Sequence, residues 1–505
     1  MMQLFLRINY EKVLVIFFIL ILSFLPVLKY SSLHTTVMDL GVNTYNLFNI
    51  SRGEWQRIFF GHVQPFLLLF QFPFSLFGDY GSRIILFIQA LGILSPFYFL
   101  YFNYAKLTAV AYILFFPVWF NLLFDFHIDH LIIPFTFFFF HALRRGSYSF
   151  AFASAVLISL VKEPFALITI ACGFYLMFSY RRSEKYYFIL SLLLAIYGAL
   201  YFYISVTYLL PQFTGGVDQT YLASHSYSKL GEDLESILAF IIFHPFDTLK
   251  IMFFDNDKFM FVTLLFSGLL FLPMLKIRAM IVALPMFAII LLSNNNMFYS
   301  LGHHYTAGMI IPLIIGFHES TQRLLEFKVI NNNKRLFLGS IILSLLVTNF
   351  ILSPSPLGRL FWSNKIWFYS LNAYFSSERD EIIKKALETH LPKNPKKSIS
   401  VQNSINFDLI NKRNSFLLFP EGILEPKKVP IFINSTSLIR KDTLADFVVI
   451  DIKRPLFIGD KGCNWIYGKC IDKEIERNFI KYQENTRSIM DKVFEYDGFF
   501  IFKRP

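Results

Sequence analysis

A succession of apolar runs, separated by short polar loops and ending near Leu352, limits this chain more than any other feature of its sequence. The first run, Val13 to Leu28, contains no charged residue. Ser82–Tyr101, Leu107–Leu123, Leu131–Leu143, Tyr187–Leu210, Phe259–Leu275, Met280–Leu292 and Leu336–Leu352 repeat the pattern, as does the run that opens at His303-His304-Tyr305. Crossing the ~30 Å hydrocarbon layer takes about 20 apolar residues in a helix, so runs of this kind are solvated by lipid. Only 16% of the residues are charged and 55% are hydrophobic, whereas a soluble domain carries about 25% charged residues. The chain reads as an α-helical polytopic membrane protein.

The loops set the expected topology. Lys106, Arg144/Arg145, Arg181/Arg182, Lys276/Arg278 and the Arg323–Arg335 loop collect on one side, which the positive-inside bias makes cytoplasmic. The run Ser147–Tyr180 is broken by Lys162-Glu163-Pro164, and a helical hairpin there keeps both arginine pairs together. Pro65–Phe77 is too short to span comfortably and is expected to lie in the interface or to re-enter. About eleven crossings result, with an uncleaved first helix, a cytoplasmic N-terminus and the tail outside the cytoplasmic membrane. This divides the chain into a transmembrane domain, residues 1–352, whose first external loop is 30–64, and an extracytoplasmic domain, residues 353–505.

The tail opens on Ser353-Pro-Ser-Pro356, a linker signal. A helix is expected over Glu378–Thr389, and strands over Ser398–Gln402, Ser415–Phe419, Phe447–Ile452 and Gly498–Phe502, a small α/β domain. Cys463 and Cys470 lie close enough in sequence to close a short disulfide loop in an oxidising compartment, while Cys172 reads as a packing residue. The net charge of +12 is distributed in loop clusters, which marks topology and not a phosphate-tracking nucleic-acid surface.

The outer side collects the polar residues with chemistry in them. Asp39 follows the first apolar run, and the same loop holds Arg52, Arg57 and His62. Asp125-x-His127-x-Asp129 with His130 ends another run, Lys162-Glu163 interrupts the hairpin, and His303-His304-Tyr305 opens a further helix. Such groups in a helical bundle face an internal wet cavity, because charge facing lipid costs several kcal/mol. Each has a plainer alternative. Asp125, His127 and Asp129 carry ligand types for a divalent metal, or form a hydrogen-bonded loop. Lys162 and Glu163 bind a ligand, or neutralise each other at a turn. His303 and His304 cap a helix, or line the cavity.

These residues in this order resemble the DUF2079 family of membrane proteins, which is related to the GT-C superfamily of polyprenyl-phosphate-sugar-dependent glycosyltransferases. The resemblance rests on Asp39-Leu40-Gly41, His62-x-x-Pro65, Phe124-Asp125-Phe126-His127, Lys162-Glu163 and His304-Tyr305. In the tail it continues through Ser400-Val401-Gln402-Asn403, Ala445-Asp446-Phe447-Val448-Val449-Ile450-Asp451 and Asp497-Gly498-Phe499-Phe500. Two phrases depart from it: Pro164 replaces the final acid of Lys-Glu-Asp, and Val63-Gln64 stands within His-Phe-Ser-Pro.

The resemblance implies a GT-C-like fold and sugar transfer from a polyprenyl-phosphate-linked donor to a glycan, lipid or protein acceptor, with inversion. It also implies that Asp39 accepts the proton of the acceptor. Lys162, Arg52 and Arg57, with His303 and His304 behind them, are the expected partners of the phosphate, and a divalent metal is an alternative counter-charge. Two other classes remain open on the sequence. A transporter or flippase of a lipid-linked or small solute would use Asp39, Asp125 and Lys162 to bind or relay ions, and a non-catalytic scaffold would use the tail to hold a cell-envelope partner.

Overall fold

The structure, a computed structural model, describes residues 10–59, 61–179, 185–214, 226–363, 368–394, 397–402, 404–406, 416–419, 445–454, 480, 483–484 and 486–505. Cys463 and Cys470, and with them the expected disulfide, lie outside the described residues. Arg181 and Arg182 do as well.

The first apolar run folds as α1 (Tyr10–Ser23) and α2 (Leu25–Ser31), which together form a candidate span. Phe17, Ile21 and Phe24 project outward from it, while Val15, Ile19 and Leu22 face the protein core. The chain then turns through Val37–Gly41 into α3 (Val42–Ser51) and α4 (Leu67–Leu76). Next come α5 (Gly81–Asn103), α6 (Lys106–Leu114) and α7 (Phe116–Leu123), followed by α8 (Ile132–Arg144). Among the described residues, four helical stretches are long and apolar enough to cross a membrane: Tyr10–Ser31, Gly78–Asn103, Tyr187–Phe213 and Lys334–Leu352. Two bent pairs, α6 with α7 at 55° and Leu234–Phe243 with Pro245–Phe253 at 101°, are broken spans or re-entrant loops, and the count among the described residues is up to six if each is one span.

The remaining apolar runs are interrupted. The Lys162-Glu163-Pro164 break divides its run into α9 (Tyr148–Val161) and α10 (Ala166–Ser179), joined by a 3-10 turn. Pro164 has no N–H to continue a ladder and biases Glu163 away from the helical region. The expected crossing at Phe259–Leu275 stops after Ser267, where Leu270 and Phe271 take left-handed φ of 57°. Its neighbour begins as a 3-10 stretch, Ile277–Ala283, before a regular helix over Leu284–Leu292. Apolarity alone does not distinguish such broken segments from continuous helices, which is why the sequence count is higher than the number of long helices.

The tail adds a helix, Glu378–His390, opened by a capping box between Ser377 and Asp380. Its sheet contains β1 (Ile399–Gln402), β2 (Phe416–Phe419), β3 (Phe447–Asp451), β4 (Asp491–Tyr496) and β5 (Phe499–Lys503), in the order β2-β1-β3-β5-β4. The β1 strand pairs in parallel with β2 and β3, whereas β5 is antiparallel to β3 and β4. Every residue of β3 is buried, because Val449 faces a core shared with the Glu378–His390 helix and Val448 faces a second core with Phe500 and Phe502. Leu33, Val37 and Tyr45 from the first loop join the first of these cores. The tail is therefore packed onto the segment that carries Asp39.

Candidate functional site

Asp39 sits in the wide turn Val37–Gly41, half-buried. Thr36 precedes the turn in extended conformation and holds it in place. Its backbone N–H donates to Asp125 Oδ2, and its hydroxyl lies 2.7 Å from the same oxygen and 3.0 Å from Asp39 Oδ2. One hydroxyl proton serves two carboxylates, so Thr36 donates to one at a time. Burial pushes the Asp39 carboxyl up to about 6, and the neighbouring Asp125 acts in the same direction against His127, Thr36 and Lys29.

Asp125 is a structural hub. Lys29, 1% exposed, brings its ammonium 3.4 Å from Asp125 Oδ1 and donates to the Leu123 carbonyl at 2.8 Å. The ammonium also lies over the Phe368 ring of the tail. Gln89 donates to the Asp125 carbonyl at 3.2 Å and accepts from the His127 N–H at 2.8 Å, so α5 fixes the backbone on both sides of Phe126. Lys29 is the member of this site that the sequence reading missed. Its place at the end of an apolar run marked it only as a helix flank.

His127 Nδ1 lies 3.1 Å from Asp129 Oδ1, and Lys162 donates to Asp129 Oδ2 at 3.3 Å. His304 Nε2 is 3.6 Å from that same oxygen. Burial favours a neutral Asp129, but His127 and Lys162 outweigh it and hold the carboxyl well below the usual range. The His127 and His304 rings stack with centroids 3.8 Å apart. Burial, reinforced by the adjacent His127, holds His304 well below the usual imidazole range and hence neutral. The Tyr305 ring is tilted against that of His304 with centroids 4.4 Å apart, and buried His303 lies 6.1 Å from the Phe124 ring.

Lys162 and Glu163 do not neutralise each other. Lys162 is extended, with φ −164° and ψ 145°, so neighbouring side chains point apart. Lys162 reaches Asp129, and Glu163 instead accepts from the Val63 N–H at 2.9 Å and sits 2.7 Å from His62 Nδ1. Glu163 thus ties the hairpin to the first loop. Arg57 pairs with Glu54 at 3.0 Å and lies over Tyr45, while Arg52 lies over Phe48.

The metal-ligating spacing falls differently from the sequence expectation. Asp125 is occupied by Thr36 and Lys29. Among the described residues, the side chains of Asp39, His127 and His304 offer one ligand atom each within 4.8 Å of one another. These three come from separate segments, which no spacing along the chain reveals.

The tail braces the loops around them. Arg454 donates to the Leu33 carbonyl at 3.2 Å and bonds Asp380, Asn406 donates to Thr35 at 3.3 Å, and Tyr369 donates to the Gly302 carbonyl at 2.6 Å. A helical body with several membrane-spanning candidates, carrying a buried acid, lysine and histidine cluster under a small sheet domain, defines a multi-pass membrane protein with an internal polar site. The chain belongs to the DUF2079 family of predicted membrane proteins, whose model matches residues 29–395. That match covers the whole polar cluster and stops before β1. No curated protein and no solved structure matches the chain.

Proposed function

We propose that this protein is a GT-C-type membrane glycosyltransferase that moves a sugar from a polyprenyl-phosphate-linked donor to a glycan, lipid or protein acceptor. The observation that carries the proposal is the half-buried Asp39 carboxylate, pushed up to about 6 and held beside His127 and His304. A carboxylate with a raised pKa suits general-base work, which contributes roughly 10²–10⁴-fold to rate. In the reaction the acceptor oxygen bonds to the anomeric carbon while the bond from that carbon to the phosphate oxygen breaks. Its electron pair leaves on the phosphate, and the acceptor proton goes to Asp39.

In this reading the site faces the outer surface of the cytoplasmic membrane, with the N-terminus inside and the tail outside, and shorter helices complete about eleven crossings. Arg52, at the end of α3, is exposed at the loop surface, where its guanidinium would meet a lipid phosphate. Outward-facing Leu68, Leu69 and Phe72 of α4 supply an apolar surface for a prenyl chain.

The test is transfer of labelled sugar from a panel of polyprenyl-phosphate donors by purified protein in lipid, comparing wild type with Asp39→Asn. The expected outcome is a loss of about 10²–10⁴-fold with donor binding retained. Equal activity removes Asp39 as the base. Transfer from no donor, combined with movement of a lipid-linked solute across the vesicle, turns the assignment to a flippase.

A further inference from the structure

We propose that Asp39, His127 and His304 form a binding site for a borderline first-row divalent cation of the zinc class. The inference deepens the transferase reading by naming a cofactor for the same site, but it stands on its own geometry. The three side chains come from the turn before α3, the segment after α7 and the turn before Ala307–Leu325, and their ligand atoms converge within 4.8 Å. Two imidazoles and one carboxylate make a donor set for zinc or its first-row neighbours; magnesium and calcium prefer all-oxygen shells.

A second observation points to a ligand. His304 is 5% exposed, and neither ring nitrogen makes a hydrogen bond among the described residues. A buried polar atom without a partner loses its hydration with nothing in return, so such a ring in a polar site calls for one. Asp129 lies beside both rings, with Oδ1 3.1 Å from His127 Nδ1 and Oδ2 3.6 Å from His304 Nε2. Lys162 balances the Asp129 charge, leaving Asp39 as the anionic ligand.

Three protein ligands leave a coordination position open, the arrangement of catalytic and not structural zinc. An ion there would neutralise the departing phosphate and polarise the acceptor hydroxyl, offsetting the lower basicity of a ligated Asp39. The Thr36 hydroxyl lies against Asp39 Oδ2, leaving the other carboxylate oxygen for the cation.

The experiment uses the full-length protein in detergent, stripped with a chelator, in a Cys463→Ser/Cys470→Ser background so that no tail thiol competes. Zinc chloride or magnesium chloride alone is added, and metal retained after gel filtration is measured by mass spectrometry. The proposal expects one zinc per chain, no retained magnesium, and affinity reduced about tenfold or more by His127→Gln and by His304→Gln. His141→Gln, at the far end of α8, is expected to retain zinc, and thermal unfolding of each apo variant checks that it is folded. Cobalt substitution adds a direct reading, because a tetrahedral nitrogen-oxygen site gives intense visible absorption that the His304→Gln variant loses. Equal zinc retention in both histidine variants, preference for magnesium, or loss in His141→Gln equal to that in His304→Gln overturns the site. No donor is present in these measurements, so their failure is distinct from failure of sugar transfer.

Discussion

Lys29 and Asp125 are a buried ion pair whose removal has unequal consequences. Breaking one side leaves an uncompensated charge, which costs about 3–5 kcal/mol, whereas replacing both sides together is far milder. Lys29→Met should therefore lower the thermal unfolding temperature in detergent strongly, and Lys29→Met/Asp125→Asn should recover most of the loss. If the double variant melts no higher than Lys29→Met, the pairing is not the source of the stability. Asp125→Asn keeps an oxygen to accept from Thr36, so the turn bearing Asp39 retains its anchor. The same logic distinguishes Asp125 from Asp39. One acid is consumed by backbone, hydroxyl and ammonium partners, and the other has Thr36 against one oxygen and stands among ligand-type side chains.

At the scale of elements, Asp446 joins the start of β3 to the start of β1. It accepts from the Ser398 N–H at 2.9 Å, from the Ser398 hydroxyl at 3.0 Å and from Lys397 at 2.8 Å. Partial burial opposes ionisation, but these donors win and lower its pKa below the ordinary 3.8. The stability it contributes is complete above that ordinary value and is lost as pH falls through the lower native value. Protection factors for hydrogen exchange in β1 and β3 of the full protein, taken against the intrinsic rate at each pH, should fall in that acid window, and Asp446→Asn should flatten the dependence; an unchanged profile in the variant removes the assignment. The tail was readable in outline because its strands alternate with turn residues. The β4 strand was overlooked although Asp497-Gly498, with φ of 45° and 81°, is a hairpin turn signal immediately after it. The break at Lys162-Glu163-Pro164 was legible because proline acts locally. The approach of His127 to His304 was not, since 177 positions of chain separate stacked rings and no local pattern encodes that meeting.

Across the whole molecule, the tail and the first loop share one core, and Arg454 and Asn406 are polar links between them. Arg454→Ala should raise hydrogen exchange over residues 32–41 while leaving Gly81–Asn103 protected; exchange unchanged in both would show that the apolar contacts suffice. The link spans 421 positions from Leu33 to Arg454. Contacts of such separation form late, because the entropy of closing the intervening loop is lost before the contact is gained. Apolar helices can enter a bilayer as soon as they are synthesised, yet the turn bearing Asp39 acquires its brace only when the sheet has folded. During biogenesis the membrane would hold an inserted but incomplete precursor, and assembly of the sheet would time the completion of the polar site.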